Sequence, residues 1–322
     1  MTSGVSSHEP GSKSQAPLPQ PSVRACTSND RFGRIKPYLA PVLITVILTV
    51  GELSYGILES YLFTALAIAS SILLEIALSL IVTGRLPHLA SSYITGISVG
   101  ILVRSPMAWP YVLASLLSIS SKYALRCRGR HLWNPSNFGV SVLFYLVPAS
   151  AVPLSLEWGN VVWAPLVIFC LGAIILYSLG RLHITLAYVA AFATLSMLRS
   201  RLSGRPLASE LGLLTHPSYL LFMFFMITDP KTTTRTRARQ CLVAIVVALV
   251  ETALRLTEEL HAAYYALFIV APVSNLLEIW FDNALGARTG EIVDNCRRAG
   301  EQAKEIKKQL DDAVWTGKAW PA

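Results

Sequence analysis

From Tyr38 to Phe281 the chain is a succession of apolar runs separated by short breaks. The runs fall at about 38–57, 62–84, 89–104, 108–125, 136–152, 161–180, 182–199, 217–228, 241–257 and 262–281. A helix that crosses a bilayer needs about 20 such residues, so the pattern reads as ten membrane spans. A soluble chain of 322 residues could not hide this apolar surface in one core. Hydrophobic residues make up 53% of it and charged residues only 14%, where soluble domains carry about 25%. An ordinary cytosolic globule, a disordered chain and a disulfide scaffold are excluded on these grounds. The third, fifth and eighth runs are short or broken by Pro and Gly.

Basic residues set orientation, because Lys and Arg collect in cytoplasmic loops. With the N-terminus inside, the outer segments hold only Arg104, Arg199, Arg201, Arg205 and Arg255, leaving 22 of the 27 Lys and Arg on the inner side. One missed span would exchange inner and outer loops beyond it and erase this asymmetry. The expected protein is therefore multi-pass in the inner (plasma) membrane with both termini cytoplasmic. The loop of Arg199, Arg201 and Arg205 is the one misfit. The net charge of +8 then belongs to topology and to contact with the lipid bilayer, not to nucleic acid.

Residues 1–36, rich in Ser, Pro and Gly and lacking a signal-peptide pattern, read as a disordered cytoplasmic tail. Residues 37–284 form the transmembrane domain. Residues 285–322 contain an amphipathic helix at about 288–315, with a seam of Ile292, Cys296, Ala299, Ala303, Ile306, Leu310 and Ala313. That helix either lies solvated on the cytoplasmic face or docks other membrane or cytoplasmic subunits. The five cysteines are scattered without a CxxC pair, and disulfides are not expected. No two histidines share a helix face at metal-ligand spacing, so no metal site is expected.

Ten spans divide into two sets of five, and an odd number per set inverts the second copy in the membrane. The third run ends at Arg104-Ser-Pro106 and the eighth at Thr228-Asp-Pro230. Short, proline-ended segments in matching positions of two halves point to discontinuous helices that face each other.

Three stretches can carry chemistry. Arg126, Arg128, Arg130 and protonated His131 precede Asn134-Pro135, a good N-cap followed by a residue suited to the first helical turn. A helix N-terminus beside arginines suits a phosphate, a carboxylate or a lipid headgroup, although a well-capped cytoplasmic loop has the same composition. In Asp229-Pro-Lys-Thr232, the carboxylate caps the turn or pairs with a cation, and the hydroxyls donate to phosphate or carbonyl oxygens. Glu75, near the middle of the second span, must be protonated or paired, and serves either an ion or proton relay or the structure alone. Glu52, Glu251 and Glu278 lie nearer span ends, where snorkelling or capping suffices.

At these stretches the chain resembles the RnfD/NqrB family, the membrane subunits of ion-motive electron-transport complexes. "GRHLWNPSNFG" (129–139) is similar to its Gly-Arg-His-x-x-Asn-Pro-x-x-Phe-Gly signature, and "FFMITDPKT" (224–232) to its Phe-Met-x-x-Asp-Pro-x-Thr signature. The similarity covers about 38–284 and looks closest to the short UnbU-like branch associated with enediyne biosynthesis. The resemblance implies an all-α polytopic fold of ten helices in two inverted five-helix repeats. It also implies a cofactor site at Arg128, Arg130, His131, Asn134, Asn137, Asp229 and Thr232. Electron-transport members carry FMN on a threonine, but residues 147–160 contain none, so covalent FMN is not expected. Noncovalent FMN, riboflavin or quinone is. Three roles follow: a redox-linked subunit working with partner subunits, a small-solute or ion transporter, or an accessory membrane protein of natural-product biosynthesis or export. None makes it more than an electron-transfer subunit of a larger complex.

Overall fold

The computed structural model describes residues 41–42, 44–53, 56–153, 163–282, 300–302, 304–305 and 308. The tail at 1–36 lies outside the described residues, as do 154–162 and most of the 288–315 segment. The chain is mostly helical. The helices are α1 Ile44–Leu53, α2 Tyr61–Thr83, α3 Ala90–Leu102, α4 Trp109–Ala124, α5 Pro135–Leu146, α6 Trp163–Ser178, α7 Leu182–Ser203, α8 Leu207–Gly212, α9 Pro217–Leu221, α10 Arg237–Leu256 and α11 Ala262–Asp282. Each apolar run contains helix. Three helices, α2, α7 and α11, are long and apolar enough to cross a membrane, and α1, α3 and the Pro217–Met226 segment are shorter apolar helices.

α2 shows why this is membrane-type packing. Ser60 caps its start by accepting from the Phe63 N–H, and Gly84 ends it at φ 65°. Its buried stripe is Thr64, Ala67, Ser71, Glu75 and Ser79, while Leu62, Leu73, Leu80 and Ile81 point outward. A soluble helix buries its leucines and exposes its hydroxyls. Here the apolar side faces out, as a lipid-facing helix requires.

Small residues let the backbones approach. A Cβ on Gly96 of α3 would lie 2.5 Å from the Ile68 Cα, and one on Gly100 would lie 2.6 Å from the Thr64 side chain. A Cβ on Gly139 of α5 would overlap Ser118 and the Ala114 carbonyl of α4. Ser115 of α4 donates to the Ala67 carbonyl of α2 at 3.0 Å. A small residue at such crossings gives close van der Waals contact and interhelical hydrogen bonds, the forces that remain where lipid removes the hydrophobic one.

The eighth run is interrupted. After α9 the backbone widens into a π-helical turn over Phe222–Met226 and stops before Asp229. Each of its last carbonyls finds a side-chain donor. Thr185 of α7 serves Met223 (3.1 Å), Thr228 serves Phe224 (2.7 Å), and the Asn134 amide reaches Phe225 and Met226 (3.4 and 3.5 Å). Such substitution is what permits a helix to end inside a protein core. The third run ends differently: α3 passes into strand β1 (Val103–Arg104), antiparallel to β4 (Val152–Pro153) beyond α5.

Arg199, expected in an outer loop, is buried in α7 at 1% exposure. Its guanidinium pairs with Glu210 (2.8 Å), bonds Thr252 and Ser196, and stacks on Phe192. This arginine is a neutralised core group and not a loop cation.

Candidate functional site

The basic stretch folds as a hairpin. Strands β2 (Arg126–Cys127) and β3 (Arg130–His131) pair antiparallel across a two-residue turn in which Arg128 and Gly129 both have positive φ, 51° and 77°. A two-residue turn of this kind matches the strand twist, and it sends Arg128 into solvent and Arg130 inward. Asn134 then caps α5, accepting from the Asn137 N–H at 3.2 Å, with Pro135 opening the helix.

The Asp-Pro turn meets this cap directly. The Asn134 amide donates to Asp229 Oδ2 at 3.3 Å. Asp229 also accepts from the Lys231 N–H (3.1 Å) and from the Thr232 hydroxyl (3.3 Å). Two motifs 95 residues apart thus share one carboxylate.

α11 holds both motifs. Asn275 donates to the carbonyls of Leu132 (3.1 Å) and Thr232 (2.8 Å). Glu278, 2% exposed, pairs with Arg130 at 2.5 Å and accepts from the Arg235 N–H and from Arg239. Arg130 also donates to the Thr233 carbonyl. Further up α11, the Tyr264 carbonyl accepts from Asn137 and Ser141. Asn275 does not stand out in the sequence, and Glu278 reads there only as a span-end carboxylate. Their signal is two polar residues three apart on one face of an apolar helix.

This geometry redistributes the expected roles. Arg130 is a positioning group, since both ends of its guanidinium are engaged within the protein. Asn137 faces α11. His131 is not a fourth cation: burial, then the charges of Arg126, Lys231 and Lys122, lower its imidazole to about 4, so it is neutral at physiological pH. Glu75 is paired, to the buried Lys122 of α4 at 2.6 Å and the Tyr123 hydroxyl at 3.1 Å. Lys122, in the last turn of α4, is 4% exposed and lies within the field of Asp229 and Lys231. Glu75 therefore adjoins the junction of the two motifs. Among the described residues, four buried polar atoms of these segments, His131 Nδ1, Asn137 Oδ1, Thr234 Oγ1 and Asn275 Oδ1, have no hydrogen-bond partner.

A second polar cluster lies between α7, α9 and α10. Glu251, 0% exposed, accepts from Tyr188 at 2.6 Å, from Tyr219, and from Arg255 at 3.0 Å. It is a buried hub, not a snorkelling group near a span end, and Glu278 departs from that expectation in the same way.

No protein-family model matches the chain, and a comparison with curated proteins finds no similar sequence.

Proposed function

We propose that the chain is a multi-pass membrane component of the RnfD/NqrB type, built as ten crossings in two inverted five-helix halves. In this reading it binds a phosphate-bearing flavin or a quinone noncovalently at the facing ends of α5 and the Pro217–Met226 segment. The 3.3 Å contact between Asn134 and Asp229 carries the reading, because motif order alone does not require the two turns to touch.

Further features support two related halves. α2 and α7 have 23 and 22 residues, and each ends at a glycine with positive φ. Gly84-Arg85-Leu-Pro-His-Leu-Ala-Ser follows the first and Gly204-Arg205-Pro-Leu-Ala-Ser the second. Each half then enters a short apolar helix, Ala90–Leu102 and Pro217–Met226.

The orphaned atoms fit such a ligand. Neutral His131 and Asn275 offer acceptors, Thr234 offers a hydroxyl, and exposed Arg128 and Lys231 supply positive charge for a phosphate. Asp229, Asn134, Arg130 and Glu278 hold these groups in place. A bound flavin or quinone would supply the redox chemistry; the chain's own residues bind and orient it. Absorption and mass measurement of the purified protein, followed by titration with FMN and with a short-chain quinone, tests this. Binding weakened by Arg128→Ala and Thr234→Val supports the reading, and no binding of either ligand refutes it.

A second reading, coupled ion or solute transport, is favoured by the buried Glu75–Lys122 pair beside the junction. Proteoliposome uptake abolished by Glu75→Gln would favour it.

A further inference from the structure

A cavity of about 830 Å³ opens between the end of α5, the turn joining α10 to α11, and the first turns of α11. Small-molecule sites run to about 300–1,000 Å³. Its acidic rim is separate from the junction above: His261, just before α11, and Asn275 at the junction are 14 positions apart, about 20 Å at helical rise.

Its walls are aromatic and its formal charge is negative. Phe144, Tyr145, Tyr265 and Phe268 contribute rings, Glu258 and Glu259 contribute carboxylates, and among the described residues no Lys or Arg lines it. Glu258 stands at φ 64°, where glycine is the easier residue, and meets Arg205 only at 3.6 Å with both groups exposed. Glu259 is held in place: one oxygen accepts from the His261 backbone N–H (2.9 Å) and ring Nδ1 (2.7 Å). Burial would raise this carboxyl, but the His261 donors outweigh it and keep the group below its ordinary range, so it stays anionic at neutral pH. The imidazole is fixed in turn by the rings of Phe144 and Tyr265, at 4.6 and 5.5 Å.

We propose that this cavity is a binding site for a lipophilic organic cation, whose apolar groups fill the aromatic volume and whose charge is met by Glu259, Glu258 and the ring faces. An aromatic wall with carboxylates at its edge attracts cations by quadrupole and charge together, and repels anions of the same shape. The site stands apart from the flavin or quinone reading and survives if that reading fails.

Tetraphenylphosphonium and tetraphenylborate share a shape and differ in sign, so equilibrium dialysis of both against the full chain in detergent tests the proposal. The phosphonium should bind saturably and the borate should not compete. Glu259→Gln keeps an oxygen to accept from both His261 donors and removes only the charge. It should weaken phosphonium binding about tenfold, and Tyr265→Leu should weaken it about threefold. Borate competing as well as the phosphonium, or unchanged affinity in both variants, would overturn the assignment.

Discussion

Two buried carboxylates, one in each half of the chain, are stabilised in unequal ways. Glu75 of α2 rests on a single cation, Lys122 of α4, with one tyrosine beside it. Glu251 of α10 is shared by Arg255, Tyr188 and Tyr219, and its neighbour Thr252 continues the network to Arg199 and Glu210. In both, a buried charge is tolerated because it is paired and hydrogen-bonded. The difference is redundancy. Losing a minor member of the Glu251 network leaves other donors, whereas losing Lys122 leaves Glu75 with no cation at contact distance among the described residues. A carboxylate with one removable partner suits a change of state, and one with several suits a fixed support.

The largest effect follows from removing the hub. Glu251→Leu should destabilise the protein by about 3–5 kcal/mol, since Arg255 and two tyrosines lose their acceptor together. Chemical unfolding in mixed micelles measures it, and a change within about 1 kcal/mol would mean the cluster is not a structural hub. Lys122→Met should follow at about 3 kcal/mol, with most of the loss recovered in the Lys122→Met/Glu75→Leu double variant. If the double variant folds but has lost transport or redox activity, Glu75 is a working group; if activity persists, it is structural. Tyr188→Phe, by contrast, should lose only about 1 kcal/mol, the value of one bond among several.

At the junction, Asn134→Ala removes an N-cap and a contact to the second motif and should lose about 1–2 kcal/mol. A cycle with Asp229→Ala should give a coupling of about 0.5–1 kcal/mol, and zero coupling would separate the two turns energetically. The remaining effect is one of pH. His131 is lowered from 6.5 to about 4, so between those values the unfolded chain binds the extra proton. Its contribution is complete above pH 6.5 and declines as pH falls toward 4. NMR titration of the imidazole should show no midpoint near 6.5.

Much of this architecture was legible in composition and spacing. Alternating runs of apolar residues give helices because lipid leaves the backbone no other partner than itself. Asn134-Pro135 reads as a helix start from local chemistry alone, and the helix forms there. The burial of Glu251 and Glu278 was not legible, because distance from the end of an apolar run is a poor guide to depth in a bundle. Their partners, Tyr188, Tyr219 and Arg130, come from remote parts of the chain. The burial of Lys122 was not legible for the same reason: only its neighbour across the helix pair, Glu75, explains it. The Gly-Arg segments after α2 and α7 were visible all along, but their meaning depends on both helices ending in the same left-handed turn.

Those two segments also offer the most direct test of two inverted halves. In a cysteine-free background, Arg85→Cys and Arg205→Cys variants can be probed in intact cells with a membrane-impermeant maleimide. An inverted pair predicts labelling of the Arg205→Cys variant from outside, and of the Arg85→Cys variant only after the membrane is opened. Labelling of both positions from the same side would contradict it.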